Sequence, residues 1–200
     1  MKKTITIVLA LFLIAAFTNQ SNAQLEARAG LVLAKIKSGF LGVTATSDAR
    51  LGVQLGATYN KNINDNFSFR PGLMYTMKGG SGEGDSGETE GGTLGYLGIP
   101  LDFVYSTPIN ENTLSFHAGP YIDYLLHGTD GAKDQLKSID SGINIGAGFD
   151  LGQIGFGVNF STGLTKTFSE EIDDGGIGFF EIGEIYSKNK FTSLYLTYNL

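Results

Sequence analysis

From Leu51 to Asn60 the chain alternates without a fault. Leu51, Val53, Leu55, Ala57 and Tyr59 are apolar or aromatic, and Gly52, Gln54, Gly56, Thr58 and Asn60 between them are polar or glycine. Successive side chains of a β-strand point to opposite faces, so this stretch reads as a strand with one apolar and one polar face. The C-terminus repeats it, with Leu194, Leu196, Tyr198 and Leu200 set against Tyr195, Thr197 and Asn199. Helical periodicity is nearly absent beyond residue 23. Eight alternating segments can be marked, near 25–34, 50–60, 66–78, 94–107, 113–127, 140–151, 153–166 and 190–200.

The connections sort by length. Those near 61–65, 108–112 and 152–153 are short and carry turn residues such as Asn62, Asn64, Asp65, Pro108, Asn110, Asn112 and Gly152. Those near 35–49, 79–93, 128–139 and 167–189 are long. Tight turns at one end and long loops at the other are the habit of outer-membrane barrels, and an even strand count puts both termini at the short-turn, periplasmic end. The expected fold is therefore all-β: an eight-stranded antiparallel up-and-down transmembrane β-barrel preceded by a cleavable signal peptide.

Facing follows from parity. If the apolar positions meet lipid, the opposite parity gathers Glu26, Arg28, Gln54, Arg70, Asp102, His117, Asp123, Asn144, Asp150 and Asn159 inside. Charges of both signs can pair in an eight-stranded barrel, whose interior is just wide enough for side chains to fill. Glu26, Arg28, Arg70, Asp102, His117, Asp123 and Asp150 are the expected structural lumen network. Glycines Gly52, Gly56, Gly142, Gly146, Gly148, Gly155 and Gly157 share the inward parity and relieve crowding there. Outward aromatics are expected at two levels: Tyr59, Phe67, Phe69, Tyr105, Phe116, Phe149 and Tyr198 at one, and Tyr75, Tyr124 and Phe191 at the other. Pro100 and Pro120 fall inside strands, where a closed barrel has no edge to hide a missing donor; bulges are the expected accommodation. The apolar run 177–187 is read either as an extension of the last hairpin or as a flap over the mouth.

The N-terminus is an address. Met1-Lys2-Lys3 precedes an apolar run from Ile5 to Phe17, and Ser21-Asn22-Ala23 supplies small residues for cleavage between Ala23 and Gln24. The run is too short to span a membrane comfortably, which takes about 20 residues. Residues 1–23 are thus the expected signal peptide and 24–200 the barrel domain. Without an apolar helix the mature chain can enter lipid only as a closed barrel, since lipid offers no partner for free backbone groups.

Composition narrows the rest. There is no cysteine, which excludes thiol catalysis, thiolate metal sites and disulfides. A net charge of −6 argues against nucleic acid as a partner. Mean hydropathy is +0.02, because alternation averages out and conceals membrane strands from a hydropathy scan.

Several short stretches resemble the PorT-like family of small outer-membrane β-barrels: Tyr96-Leu97-Gly98-Ile99-Pro100-Leu101, Ala118-Gly119-Pro120-Tyr121, Gly146-Ala147-Gly148-Phe149 and Thr162-Gly163-Leu164. The resemblance covers most of 24–200 and implies a Gram-negative envelope protein whose strands accommodate both prolines. Its name-giving member implies an accessory role in protein secretion or envelope assembly. The end of the chain, with Leu194, Leu196 and Tyr198 alternating, also resembles the insertion signal read by the barrel-assembly machinery, although Leu200 stands where Phe is usual.

Motifs with chemical meaning are few. Gly82-Glu83-Gly84-Asp85-Ser86-Gly87 spells a dinucleotide fingerprint, but its acids repel phosphate and no helix follows, so it reads as a surface loop. That loop, with Glu170, Glu171, Asp173 and Asp174 in another, lacks ordered calcium-loop spacing. His117, Asp123 and His127 share one strand's inward parity, but His117 stands six and ten residues from the other two, roughly 20 to 33 Å at strand rise, so this strand alone cannot build a metal site. No nucleophile elbow or Asp/His/Ser cluster stands out. The expectation is a monomeric, non-enzymatic outer-membrane barrel with no cofactor or metal, porin-like in build but side-chain-filled, acting as surface scaffold or loop-mediated binder. Its expected partners are membrane lipid, the assembly machinery and an extracellular or secretion-machine protein. The alternatives are a secretion accessory and a periplasmic lipocalin-like barrel with reversed facing.

Overall fold

The computed structural model describes residues 23–40, 43–83, 89–128, 137–165, 168–171 and 184–200. The expected signal segment up to Asn22 lies outside the described residues, as do 84–88 of the acidic loop and 177–183 of the apolar run. Ten strands are described: β1 Ala23–Phe40, β2 Val43–Thr46, β3 Asp48–Asn62, β4 Phe67–Glu83, β5 Thr89–Ile109, β6 Asn112–Gly128, β7 Ile139–Leu151, β8 Ile154–Gly163, β9 Phe168–Glu171 and β10 Glu184–Asn199.

Two of these are continuations. β2 pairs with the far end of β1 above the point where β3 leaves it, and β9 pairs with β10 above the end of β8. Ser47 bridges the first break: its N–H donates to the Ile36 carbonyl and its Oγ accepts from the Ile36 N–H, both at 2.9 Å. Counted this way the wall has eight antiparallel staves in the order β1-β3-β4-β5-β6-β7-β8-β10. The last returns to the first, from Glu26 opposite Asn199 to Gly39 opposite Tyr186, and the barrel closes. Closure satisfies every stave on both edges, the condition for crossing lipid with strands.

The short turns lie at one end together with Ala23, where β1 starts, and Leu200; this end is called lower below. Asn110 (φ 56°) and Gly152 (φ 77°) each open a two-residue turn with a left-handed residue, the geometry that suits the twist of a hairpin. At the other, upper end parts of the expected long loops are strand among the described residues. Residues 79–83 and 89–93 continue β4 and β5 as a paired hairpin, a correction to the reading of 79–93 as one loop. Glycine-rich sequence there carries no alternation, but ladder hydrogen bonds need no side chain. Glu184 to Ser187 likewise extends the last stave, opposite Phe168–Glu171.

The prolines are accommodated without bulges, a second correction. Pro100↔Tyr121 is followed by Phe103↔Ala118, so two rungs are lost beside Pro120 while the register stays the same. The same happens between Met74↔Gly98 and Pro71↔Leu101 beside Pro100, and between Thr58↔Gly72 and Lys61↔Phe69 beside Pro71. Register shifts occur elsewhere: in β3 between Ala49 and Gln54, and in β6 beside Gly95 and Tyr96.

Facing follows the parity. Leu51, Val53 and Leu55 are exposed to the outside, with Leu55 62% exposed, whereas Gly52 and Gln54 are buried. Aromatics pair round the lower rim, Phe67 with Tyr105, Phe69 with Phe103 and Phe149 with Phe156, at 5.1 to 5.8 Å between ring centroids. Phe191 is not among the outward rings. It is buried, because it shares the parity of Asn189, Ser193 and Tyr195 on β10.

Candidate functional site: a filled lumen

The lower half of the lumen is a net to which all eight staves contribute. Glu26 and Arg28 stand two apart on β1, facing inward. Arg28 donates from Nη2 to Glu26 Oε1 at 3.0 Å, and Thr58 Oγ1 on β3 donates to the same oxygen at 3.0 Å. Arg70 on β4 lies 3.9 Å from Glu26 Oε2. The Arg28 guanidinium sits 4.1 Å over the Tyr195 ring of β10, a cation–π contact made stronger by burial. His117 Nε2 on β6 is 3.0 Å from Asn159 Oδ1 on β8; Asn159 donates to Ser161, and Ser161 to Asn144 on β7 at 2.6 Å. Asp102 on β5 is buried directly across the ladder from Arg70, without an ion pair inside 4 Å among the described residues. Asp150 is only half-buried and stands apart from these pairs.

The upper half is built round one cation. The Lys78 ammonium, its side chain wholly buried, pairs with Asp123 and, at 2.9 Å, with Asp140. The rings of Tyr96, Tyr121 and Phe191 surround it at 4.6, 4.8 and 4.6 Å. Asn189 donates to Asp140 at 3.0 Å and to the Tyr96 hydroxyl at 3.3 Å, and Thr165 donates to the other Asp140 oxygen at 3.2 Å. Gly98 faces Asp123 across the β5–β6 ladder; a side chain there would occupy the carboxylate's place. Five staves meet at this cage.

Between the two layers lies a cavity of about 30 Å³ lined by Gln54, Asp102, Tyr121 and Asn144, room for about two water molecules. Among the described residues Gln54 Oε1, Asp102 Oδ1 and the Tyr121 hydroxyl have no hydrogen-bond partner. Among the described residues no three His, Asp or Glu side chains converge as metal ligands.

Of the residues expected from sequence, Glu26, Arg28 and Arg70 meet directly. His117 and Asp102 belong to the same layer, Asp123 belongs to the other, and Asp150 is peripheral. Ala23 and Gln24 open β1 at the lower end. His127 is corrected. β6 carries one extra residue at Leu126, since Gly95 pairs with His127 while Tyr96 pairs with Leu125. The slip turns His127 outward, where its Nε2 is 2.9 Å from the Tyr75 hydroxyl. Lys78 and Asp140 were missed, although both share the parity of recognised lumen residues. They sit at the margins of their alternating segments, where a strand's extent is least legible.

A closed antiparallel wall, apolar outside and ionic within, defines an outer-membrane β-barrel with a filled lumen. The chain belongs to the family described as outer membrane protein beta-barrel domain, whose model matches residues 16–169. No curated protein matches it in sequence. Among solved structures it is similar in fold to the outer membrane protein OprG from Pseudomonas aeruginosa, at 10% identity and TM-score 0.54, covering 91% of this chain and 97% of that one. Neisserial surface protein A aligns at 12% identity and TM-score 0.46, over 89% and 99% of the two chains. Ail, the attachment invasion locus protein of Yersinia pestis, aligns at 14% identity and TM-score 0.42, over 90% and 99%.

Proposed function

We propose that this protein is a non-enzymatic surface scaffold of the outer membrane whose recognition is carried by its upper-end segments. The observation that carries the reading is the Lys78 cage. An ammonium held by two carboxylates and three rings fills the lumen's upper half, so transport through the barrel has no open path. Both histidines are engaged by neutral partners, Asn159 and Tyr75, which leaves neither poised beside a nucleophile. In this reading the signal segment is removed after Ala23, the assembly machinery inserts a monomer, the termini face the periplasm and the upper segments face outward. Planar-bilayer recording of the purified protein is expected to show no steady large conductance, and a steady open channel would overturn the reading. Protease added to intact cells should cut within 84–88 or 129–136 and spare both termini; the reverse pattern would invert the orientation.

A second reading, an accessory part of a secretion or envelope-assembly machine, is supported by the PorT-like stretches 96–101 and 118–121, which supply Pro100, Tyr121 and the glycine opposite Asp123. Crosslinked outer membranes should then yield secretion components with the tagged protein. Recovery of none removes that support.

A further inference from the structure

The seam that closes the barrel carries an unusual outward pairing. Lys35 stands directly opposite Lys190, and Lys37 directly opposite Lys188, on β1 and β10. Val32 and Ala34 point into the lumen from β1, as do Asn189 and Phe191 from β10, so the four lysines have the outward parity; Lys35 and Lys190 are exposed. Directly opposed side chains on one face of a ladder have Cβ atoms about 5 Å apart, and the next pair along lies about 7 Å away. Four ammonium groups thus share one small patch of wall. Like charges directly opposite each other destabilise a sheet, and an anion bridging Lys35 and Lys190 would relieve that repulsion.

Their height on the barrel says what that anion is. Below the lysines the outward residues of β1 are Leu33, Leu31, Ala29, Ala27 and Leu25; on β10 they are Thr192, Leu194, Leu196 and Tyr198. From Leu25 up to Lys35 the strand rises about 33 Å, which after a tilt of roughly 40° is about 25 Å, the apolar height a barrel presents to lipid. Lys35 and Lys190 therefore stand at the top of the apolar band, at headgroup level, where long basic side chains reach polar groups. A groove runs down from them. Across the wall one row reads Ile145, Phe160, Thr192, Leu33, and the small Thr192 leaves a furrow between Phe160 and Leu33 with Lys35 and Lys190 at its head.

The geometry points to a site on the β1–β10 seam for a phosphate-bearing membrane lipid of the upper leaflet. The phosphate bridges Lys35 and Lys190, and one acyl chain lies in the furrow over Thr192. A charged lipid surface draws basic side chains to it, and here the apolar furrow fixes where on the surface the lipid is held. The site lies on the outer wall and is independent of what the upper segments recognise.

The test uses the full-length folded protein in nanodiscs of phosphatidylcholine doped with phosphatidylglycerol, released into native mass spectrometry. The wild type is expected to retain one phosphatidylglycerol in preference to phosphatidylcholine. K35Q/K190Q should lose at least about tenfold of that retention while keeping the folded gel mobility, and K61Q, at the lower rim, should retain the lipid. Should the double variant fail to fold, Thr192→Phe fills the furrow without touching charge and is expected to abolish retention. Equal retention by wild type and the site variants overturns the proposal. So does equal loss in K61Q, which would mean diffuse attraction only, or a dimer in place of the lipid adduct, which would mean the seam binds a second copy.

Discussion

The two halves of the lumen solve the same problem differently. Both place charges inside a narrow barrel, and both draw them from one parity of the staves. The lower half disperses its charges: two arginines share one glutamate, Asp102 faces Arg70 with no ion pair inside 4 Å, and among the described residues guanidinium nitrogens of both arginines have no hydrogen-bond partner. The upper half concentrates them on a single ammonium with two carboxylates and three rings. A dispersed net can lose a member and rearrange. A cage round one cation cannot, because removing the cation leaves two buried carboxylates facing each other.

The largest effect should therefore come from Lys78→Met. It strands Asp123 and Asp140 in a buried site, and breaking a buried pair on one side costs about 3–5 kcal/mol. Urea titration of protein folded in vesicles, followed by gel mobility because the chain has no tryptophan, measures it. K78M combined with D123N should recover much of the loss; no recovery would show that the lysine acts as bulk and not as a counter-ion. Leu55→Arg tests the outer wall against both layers, with an expected loss of about 2–4 kcal/mol if it lies near the bilayer midplane. Gln54→Arg, one residue away beside the cavity, should be milder, and equal effects would contradict the facing. Glu26→Gln should cost about 1.5–3 kcal/mol, the worth of hydrogen bonds to a charged group, and less than the lysine change because Asp102 remains near both arginines. A larger loss than for K78M would reverse the comparison. Thr58→Val, which removes one hydroxyl bond to Glu26, should cost about 1 kcal/mol.

Parity made most of the lower layer legible. Glu26, Arg28, Arg70, Asp102 and His117 needed only an inside and an outside to be grouped. It could not say which of them touch, because tilt and stagger decide which strand levels meet. Phe191 shows parity being overruled by residue type: an apolar ring invites an outward reading, yet its neighbours on β10 alternate it inward. His127 shows the opposite failure. One extra residue in β6 reverses every facing beyond it, and nothing in the apolar run Tyr124-Leu125-Leu126 announces the slip. The prolines went unread for a subtler reason. Missing donors suggest an inserted residue, but a wall of long staves can omit two rungs and keep its register.

Closure between the first stave and the last also sets an order of events. Arg28 meets Tyr195 only when β10 has come round to β1, although their partners on the intervening staves can pair earlier. That contact spans almost the whole chain, and contacts of such long sequence separation form late and slowly. An incompletely closed barrel thus keeps its first arginine turned toward water. The polar surface disappears in the same step that seals the wall, so sealing and completion of the ionic interior are a single kinetic event.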